Sequence, residues 1–140
     1  MQDYFDVRLS RDELQNMSSL ALAHMGDGVY EVLVRSWLCV HGRATAGNLH
    51  REAVAYVCAP AQAKAMEKIL PLLTEEEAGV YRRGRNAHVS QIPKNATRGE
   101  YNQATGLEAV FGYLYLSGRK DRINQLFAVI VDEEDESNAT

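Results

Sequence analysis

Only three prolines (Pro60, Pro71 and Pro93) interrupt this 140-residue chain. No window alternates apolar and polar residues with β-branched enrichment, so a sheet-based fold is excluded and helix is expected nearly throughout. At this length no disulfide scaffold is needed, and the two cysteines, Cys39 and Cys58, cannot make a zinc site alone. Set among apolar neighbours, they read as small buried hydrophobes. No apolar run approaches the ~20 residues that span a bilayer. The segment Met1–Arg8 carries two Asp, unlike a secretory signal or an Arg-rich transit peptide. The expectation is a soluble cytoplasmic protein with no membrane partner.

The length suits one domain and not a two-domain enzyme. A net charge of −4 hides an uneven distribution. The last nine residues, Asp132–Thr140, hold five of the 19 acids and no base, which leaves 15 basic against 14 acidic side chains in residues 1–131. Within that body, residues 78–99 contain Arg82, Arg83, Arg85, Lys94 and Arg98 and no acid. Binding follows the local field and not the net charge, so a polyanionic partner is compatible with this composition.

Helical periodicity and capping residues divide the chain. Ser18 or Ser19 caps a long apolar helix through Leu20, Val29, Val32 and Leu38 that stops near His41-Gly42. Thr45 opens a second helix, through Leu49, Ala53 and Val57. Pro60 suits the first turn of a third, which Pro71 ends. Thr74 followed by Glu75-Glu76-Glu77 reads as a cap with first-turn acids. Residues 84–97 read as a loop. Further helices are expected over about Glu100–Leu116 and Lys120–Val131. One all-α domain, 1–131, with a solvated, disordered acidic tail, 132–140, is the resulting organisation.

Two acids stand in unfavourable places. Asp27 interrupts Leu22-Ala-His-Met-Gly-Asp-Gly-Val-Tyr30, and Glu108 interrupts Ala104-Thr-Gly-Leu-Glu-Ala-Val-Phe-Gly-Tyr113. An unpaired buried carboxylate costs several kcal/mol or shifts its pKa. Each acid is flanked by glycines, Gly26 and Gly28 or Gly106 and Gly112, which suggests close backbone approach or ligand access. Converging from packed helices, the pair would make a hard-oxygen Mg²⁺ site. The alternative is a structural role, each acid accepting buried hydrogen bonds or pairing with an arginine such as Arg35.

The stretch Arg82-Arg-Gly-Arg-Asn86 follows a helix, and Pro93-Lys-Asn95 comes later in the same basic segment. Guanidinium forks suit phosphate oxygens, and asparagines add contacts to sugar or phosphate. Slight aromatic interleaving favours backbone recognition of a duplex over single-strand stacking. The alternative is a solvated loop with ordinary helix C-terminal bases.

Taken together, these pieces resemble Mini-ribonuclease III, the short bacterial relatives of ribonuclease III that keep the endonuclease domain and lack the double-stranded-RNA-binding domain. The resemblance covers about residues 18–128. It rests on Leu22-Ala-His-Met-Gly-Asp-Gly-Val-Tyr-Glu31, Arg82-Arg-Gly-Arg-Asn-Ala87, Pro93-Lys-Asn-Ala96, and Ala104-Thr-Gly-Leu-Glu-Ala109 with Gly112-Tyr-Leu-Tyr-Leu116, four motifs in order.

The resemblance implies an all-α ribonuclease III endonuclease-domain fold and a helical homodimer that cleaves double-stranded RNA in a shared valley. It implies Asp27 and Glu108 as catalytic, metal-binding residues for Mg²⁺, with Mn²⁺ as a substitute, and 5′-phosphate products. Arg82, Arg83, Arg85, Asn86, Lys94 and Asn95 would contact RNA. The substrate would be precursor large-subunit (23S) ribosomal RNA, with a ribosomal protein helping to present it.

Three acids of the larger ribonuclease III enzymes are replaced here, by Leu20, Ala23 and Thr105, as in the short subfamily. His24 and Gln103 stand where that subfamily more often has Tyr and Arg. Thr105 would bond a metal water or the helix backbone; Glu31, one turn from Asp27 on the same face, would support the site from behind or, the favoured option, pair with an arginine. Two other classes are a catalytically silent RNA-binding or ribosome-assembly protein of the same fold, and an all-α adaptor without an RNA role.

Overall fold

The computed structural model describes residues 1–42, 47–87 and 95–139, with side chains through residue 132. The described residues form seven α-helices and no strand: α1 (Arg11–Gln15), α2 (Ser19–Val40), α3 (Leu49–Val57), α4 (Ala59–Ile69), α5 (Glu75–Arg85), α6 (Arg98–Leu116) and α7 (Lys120–Ala139). A single 3₁₀ turn, Leu70–Leu72, surrounds Pro71 between α4 and α5.

Local chemistry sets most of these boundaries. Ser18 caps α2 by accepting from the Ala21 amide at 3.0 Å. Thr74 and Thr97 form full capping boxes with Glu77 and Glu100 at the starts of α5 and α6. Pro60 lies in the first turn of α4, where its missing N–H costs nothing. Gly42 and Gly118 follow α2 and α6 with positive φ, at 68° and 77°, a conformation that favours glycine after a helix end.

Four expectations are revised. Helix α1 was not anticipated, although Ser10 and Glu13 form a capping box there. Residues 84–97 are not all loop: α5 continues through Arg85, so Arg82, Arg83 and Arg85 belong to its last turn, where cations complement the helix dipole. Helix α7 continues beyond Val131 to Ala139, with no proline or glycine to stop it. The cysteines are not buried: Cys39 is exposed in the last turn of α2, and Cys58 is half-buried at the α3–α4 junction. Thr45 lies outside the described residues, and the helix expected from it starts at Leu49.

The core is organised around α6, which packs against α2, α4 and α5. Leu107, Val110, Phe111 and Leu114 on α6 are completely buried, each such side chain contributing about 1.5–3 kcal/mol by leaving water. Tyr30 of α2 meets Phe111 edge-on at 5.4 Å between ring centroids and Phe127 of α7 at 5.9 Å. Arg122 of α7 donates through Nε and Nη2 to both carboxylate oxygens of Glu77 at 2.8 Å, and Nη2 also reaches the Leu72 carbonyl. That buried fork ties α7 to the start of α5.

Candidate active site

Asp27 and Glu108 come from the two most closely packed helices, α2 and α6. Their backbones approach at glycines. A Cβ on Gly26 would overlap the Glu108 carbonyl and stand 2.8 Å from the Gly112 amide nitrogen, and one on Gly112 would overlap the Leu22 carbonyl. Gly106 is held against the Tyr81 ring, where a Cβ would lie 2.6 Å from Cε1. Close backbone approach therefore explains three of the four glycines. Gly28 differs, with open space where its Cβ would be.

This crossing brings the two carboxyl groups close enough for the Asp27 charge to act on Glu108. Asp27 is exposed and Glu108 half-buried. Burial raises the Glu108 pKa most, the Asp27 charge and hydrogen bond raise it further, and the result is about 8; the nearby Gln62 amide acts the other way. Among the described residues no three His, Cys, Asp or Glu side chains group to hold a metal. The available donors are therefore two carboxylates. Hard oxygens, one open to solvent, suit a divalent cation such as Mg²⁺ that retains much of its water.

The structural alternatives weighed from sequence are partly answered. Arg35 does not serve Asp27, because its Nε donates to Glu31 at 2.8 Å across one helical turn. Thr105 donates its hydroxyl to the Tyr101 carbonyl at 3.0 Å, the backbone option.

A depression of about 460 Å³ opens beside Glu108, bordered by Gln62, Asn95, Tyr101, Ala104, Cys58 and Pro60 among others. Asn95 thus reaches the neighbourhood of Glu108. Arg82 and Arg83 instead border a separate depression of about 470 Å³ with Arg11, Ser19, Glu76 and Tyr113. Arg85 lies 5.4 Å from the Tyr81 ring centroid, and its Nε donates to exposed Asn86 at 3.4 Å. Lys94 lies outside the described residues. The basic segment therefore supplies groups to more than one place on the surface.

Sequence reading passed over Gln62. It is 2% exposed and stands in an Ala-rich helix, and its Nε2 completes no hydrogen bond despite lying near Glu108. The signal was the one that exposed the two acids: a polar residue among small apolar ones, in Ala59-Pro-Ala-Gln-Ala-Lys-Ala-Met66.

Known proteins resemble this chain over most of its length. The family model described as Ribonuclease III domain matches residues 20–119, which include both acids and the basic turn. The chain is 44% identical over 113 residues to Mini-ribonuclease 3 of Symbiobacterium thermophilum, covering 81% of this chain and 87% of that one. It is 35% identical over 140 residues to that of Clostridium tetani, with 99% and 93% covered, and 40% identical over 128 residues to that of Enterococcus faecalis, with 90% and 97% covered. A crystal structure of a Fusobacterium nucleatum protein superposes with a TM-score of 0.79 at 29% identity, covering 87% of this chain and 98% of that one. The chain belongs to the ribonuclease III family of endoribonucleases, in its Mini-ribonuclease 3 branch.

Proposed function

We propose that this protein is a Mg²⁺-dependent endoribonuclease that cleaves double-stranded RNA as a homodimer. The observation that carries the reading is the convergence of Asp27 and Glu108 from α2 and α6, inside a chain of this family. Asp27 and Glu108 would hold the ion, for which Mn²⁺ is a reasonable substitute. Bound there, Mg²⁺ supplies Lewis acidity toward a phosphoryl oxygen and makes a water nucleophilic near neutral pH. Asp27, exposed to solvent, would be open to an arriving phosphodiester. Glu108, kept in place by the α2–α6 crossing, would be the second ligand in its ionised form. Hydrolysis in this sense leaves 5′-phosphate and 3′-hydroxyl ends.

Arg82, Arg83, Arg85, Asn86, Lys94 and Asn95 would contact the RNA backbone and sugars. Such contacts read shape and 2′-hydroxyls, so weak sequence preference is expected. An apolar depression of about 500 Å³, bordered by Phe5, Met25, Val32, Leu33, Tyr115 and Ile123, supports association with a second copy. Phe5 and Val32 are 81% and 62% exposed in the single chain. No described helix is long and apolar enough to cross a membrane, which is compatible with a cytoplasmic enzyme. Precursor 23S ribosomal RNA is the substrate proposed, presented with help from a ribosomal protein.

The test is cleavage of a labelled RNA duplex with Mg²⁺, with EDTA, and with Mg²⁺ plus the Asp27→Asn or Glu108→Gln variant. Metal-dependent cutting that both variants lose while still folded supports the reading. Binding without cutting by the parent moves the assignment to a silent RNA-binding protein of this fold. Neither binding nor cutting removes the RNA role.

A further inference from the structure

We propose that Gln62 is a positioning residue of the site, its buried side-chain amide donating through Nε2 to Glu108 and holding that carboxylate toward the divalent ion. The inference rests on the metal-site reading above.

Three observations carry it. Gln62 lies on α4, which packs directly against α6, and borders the same depression as Glu108. Its side chain is 2% exposed, so water cannot satisfy it. Its Nε2 has no hydrogen-bond partner among the described residues. A buried amide donor without an acceptor is costly, an arrangement that persists where a ligand or a moving side chain completes it.

The acceptor is identified by elimination among the polar groups of that depression. Asn95 is exposed and free to bond water. Tyr101 and Cys58 offer a hydroxyl and a thiol, both weaker acceptors than a carboxylate. Glu108 has two oxygens to distribute. With one turned to the cation beside Asp27, the other accepts from Gln62, so the amide selects the carboxylate orientation that binding requires. An outer hydrogen bond of this kind typically changes metal affinity 10–100-fold.

Gln62→Met keeps the volume and removes the donor. Binding of Mn²⁺ to the full-length variant, followed by electron paramagnetic resonance, is expected to weaken about tenfold. Its melting temperature is expected to stay within a few degrees of the parent or to rise, since an orphaned amide has gone. With duplex RNA, kcat falls and KM holds. A merely structural Gln62 would leave the Mn²⁺ affinity unchanged whichever way the melting temperature moves, and that result overturns the proposal.

A second measurement needs no variant at that position. In ¹⁵N-labelled parent protein the Gln62 side-chain amide resonance should shift during a Mg²⁺ titration, with the midpoint of metal binding. A resonance that stays still overturns the proposal even if Gln62→Met fails to fold. A parent that binds Mn²⁺ through Asp27 and Glu108 while Gln62→Met binds equally sinks this inference alone. A parent that binds no Mn²⁺ overturns the metal site and the inference with it.

Discussion

Gly26 presses its Cα against the carbonyl of Glu108, so the residue before one acid of the site touches the backbone of the other. The α2–α6 crossing and the separation of the two carboxyls are consequently one geometric fact. Gly26→Ala should force the helices apart and destabilise the protein by about 3 kcal/mol or more, since overpacking without room to relax typically costs 1–3 kcal/mol and here the obstruction is backbone. Gly28→Ala, two residues on, meets open space. It should stabilise by about 0.5–1 kcal/mol through helix propensity. Urea denaturation of both variants checks the contrast, and equal effects would show that the crossing is looser than described.

The raised pKa of Glu108 makes the metal-free protein sensitive to alkaline pH. Its folded value of about 8 lies above the ordinary 4.5. The protonated acid therefore favours the fold, fully below pH 4.5, and that contribution is lost as the pH rises through 8. Each unit of displacement corresponds to about 1.4 kcal/mol. In EDTA, stability should decline by a few kcal/mol between pH 5 and pH 8.5, and Glu108→Gln should flatten the decline. Mg²⁺ should flatten it too, by favouring the ionised form. Melting curves across pH that coincide for parent and Glu108→Gln would contradict the assignment.

Glu77 acts in the opposite direction. Burial pushes its carboxyl up, but the Arg122 guanidinium and the Thr74 amide outweigh burial and hold it below the usual range. Its contribution is present above the ordinary carboxylate pKa and lost as pH falls through the lowered one. Arg122→Met, which strands a carboxylate that is 2% exposed, should cost about 3 kcal/mol. Adding Glu77→Gln should recover much of that loss, because Gln still accepts at the helix cap. A double-mutant cycle in guanidinium chloride measures the coupling.

Arg82 and Arg83 are exposed on the last turn of α5, so reversing their charges should leave the protein folded, at a cost of about 1–2 kcal/mol against the helix dipole. The double variant Arg82→Glu, Arg83→Glu should weaken duplex RNA binding at least tenfold at low salt. The slope of log affinity against log salt should fall by about 1 for each phosphate contact removed. Fluorescence anisotropy over a salt series reads both quantities, and an unchanged slope would place the RNA on another face.

Signals carried within a few residues were legible from the start. Ser18 and Thr74 announced helix starts because a cap bonds amides two or three residues away. Asp27 and Glu108 stood out because charge is costly in an apolar helix, and Gly26 and Gly112 because a helix rarely tolerates glycine without a reason. The end of α5 was misplaced by its basic composition: arginines suit a surface loop, yet they also stabilise a helix C-terminus. Cys39 was misjudged because its apolar neighbours in sequence point to other faces of α2.

The amino-acid sequence by itself determined the helical class, most helix ends and the two acids, since periodicity, caps and misplaced charge are local properties. Only the tertiary structure decided which surfaces meet. It set Gly26 on Glu108, paired Glu77 with Arg122 across 45 residues, and placed Gln62 beside the Asp27–Glu108 pair. Those relationships depend on where α4, α6 and α7 dock. Docking is a sum of many small packing energies spread over the whole core, and no short stretch of sequence carries that sum.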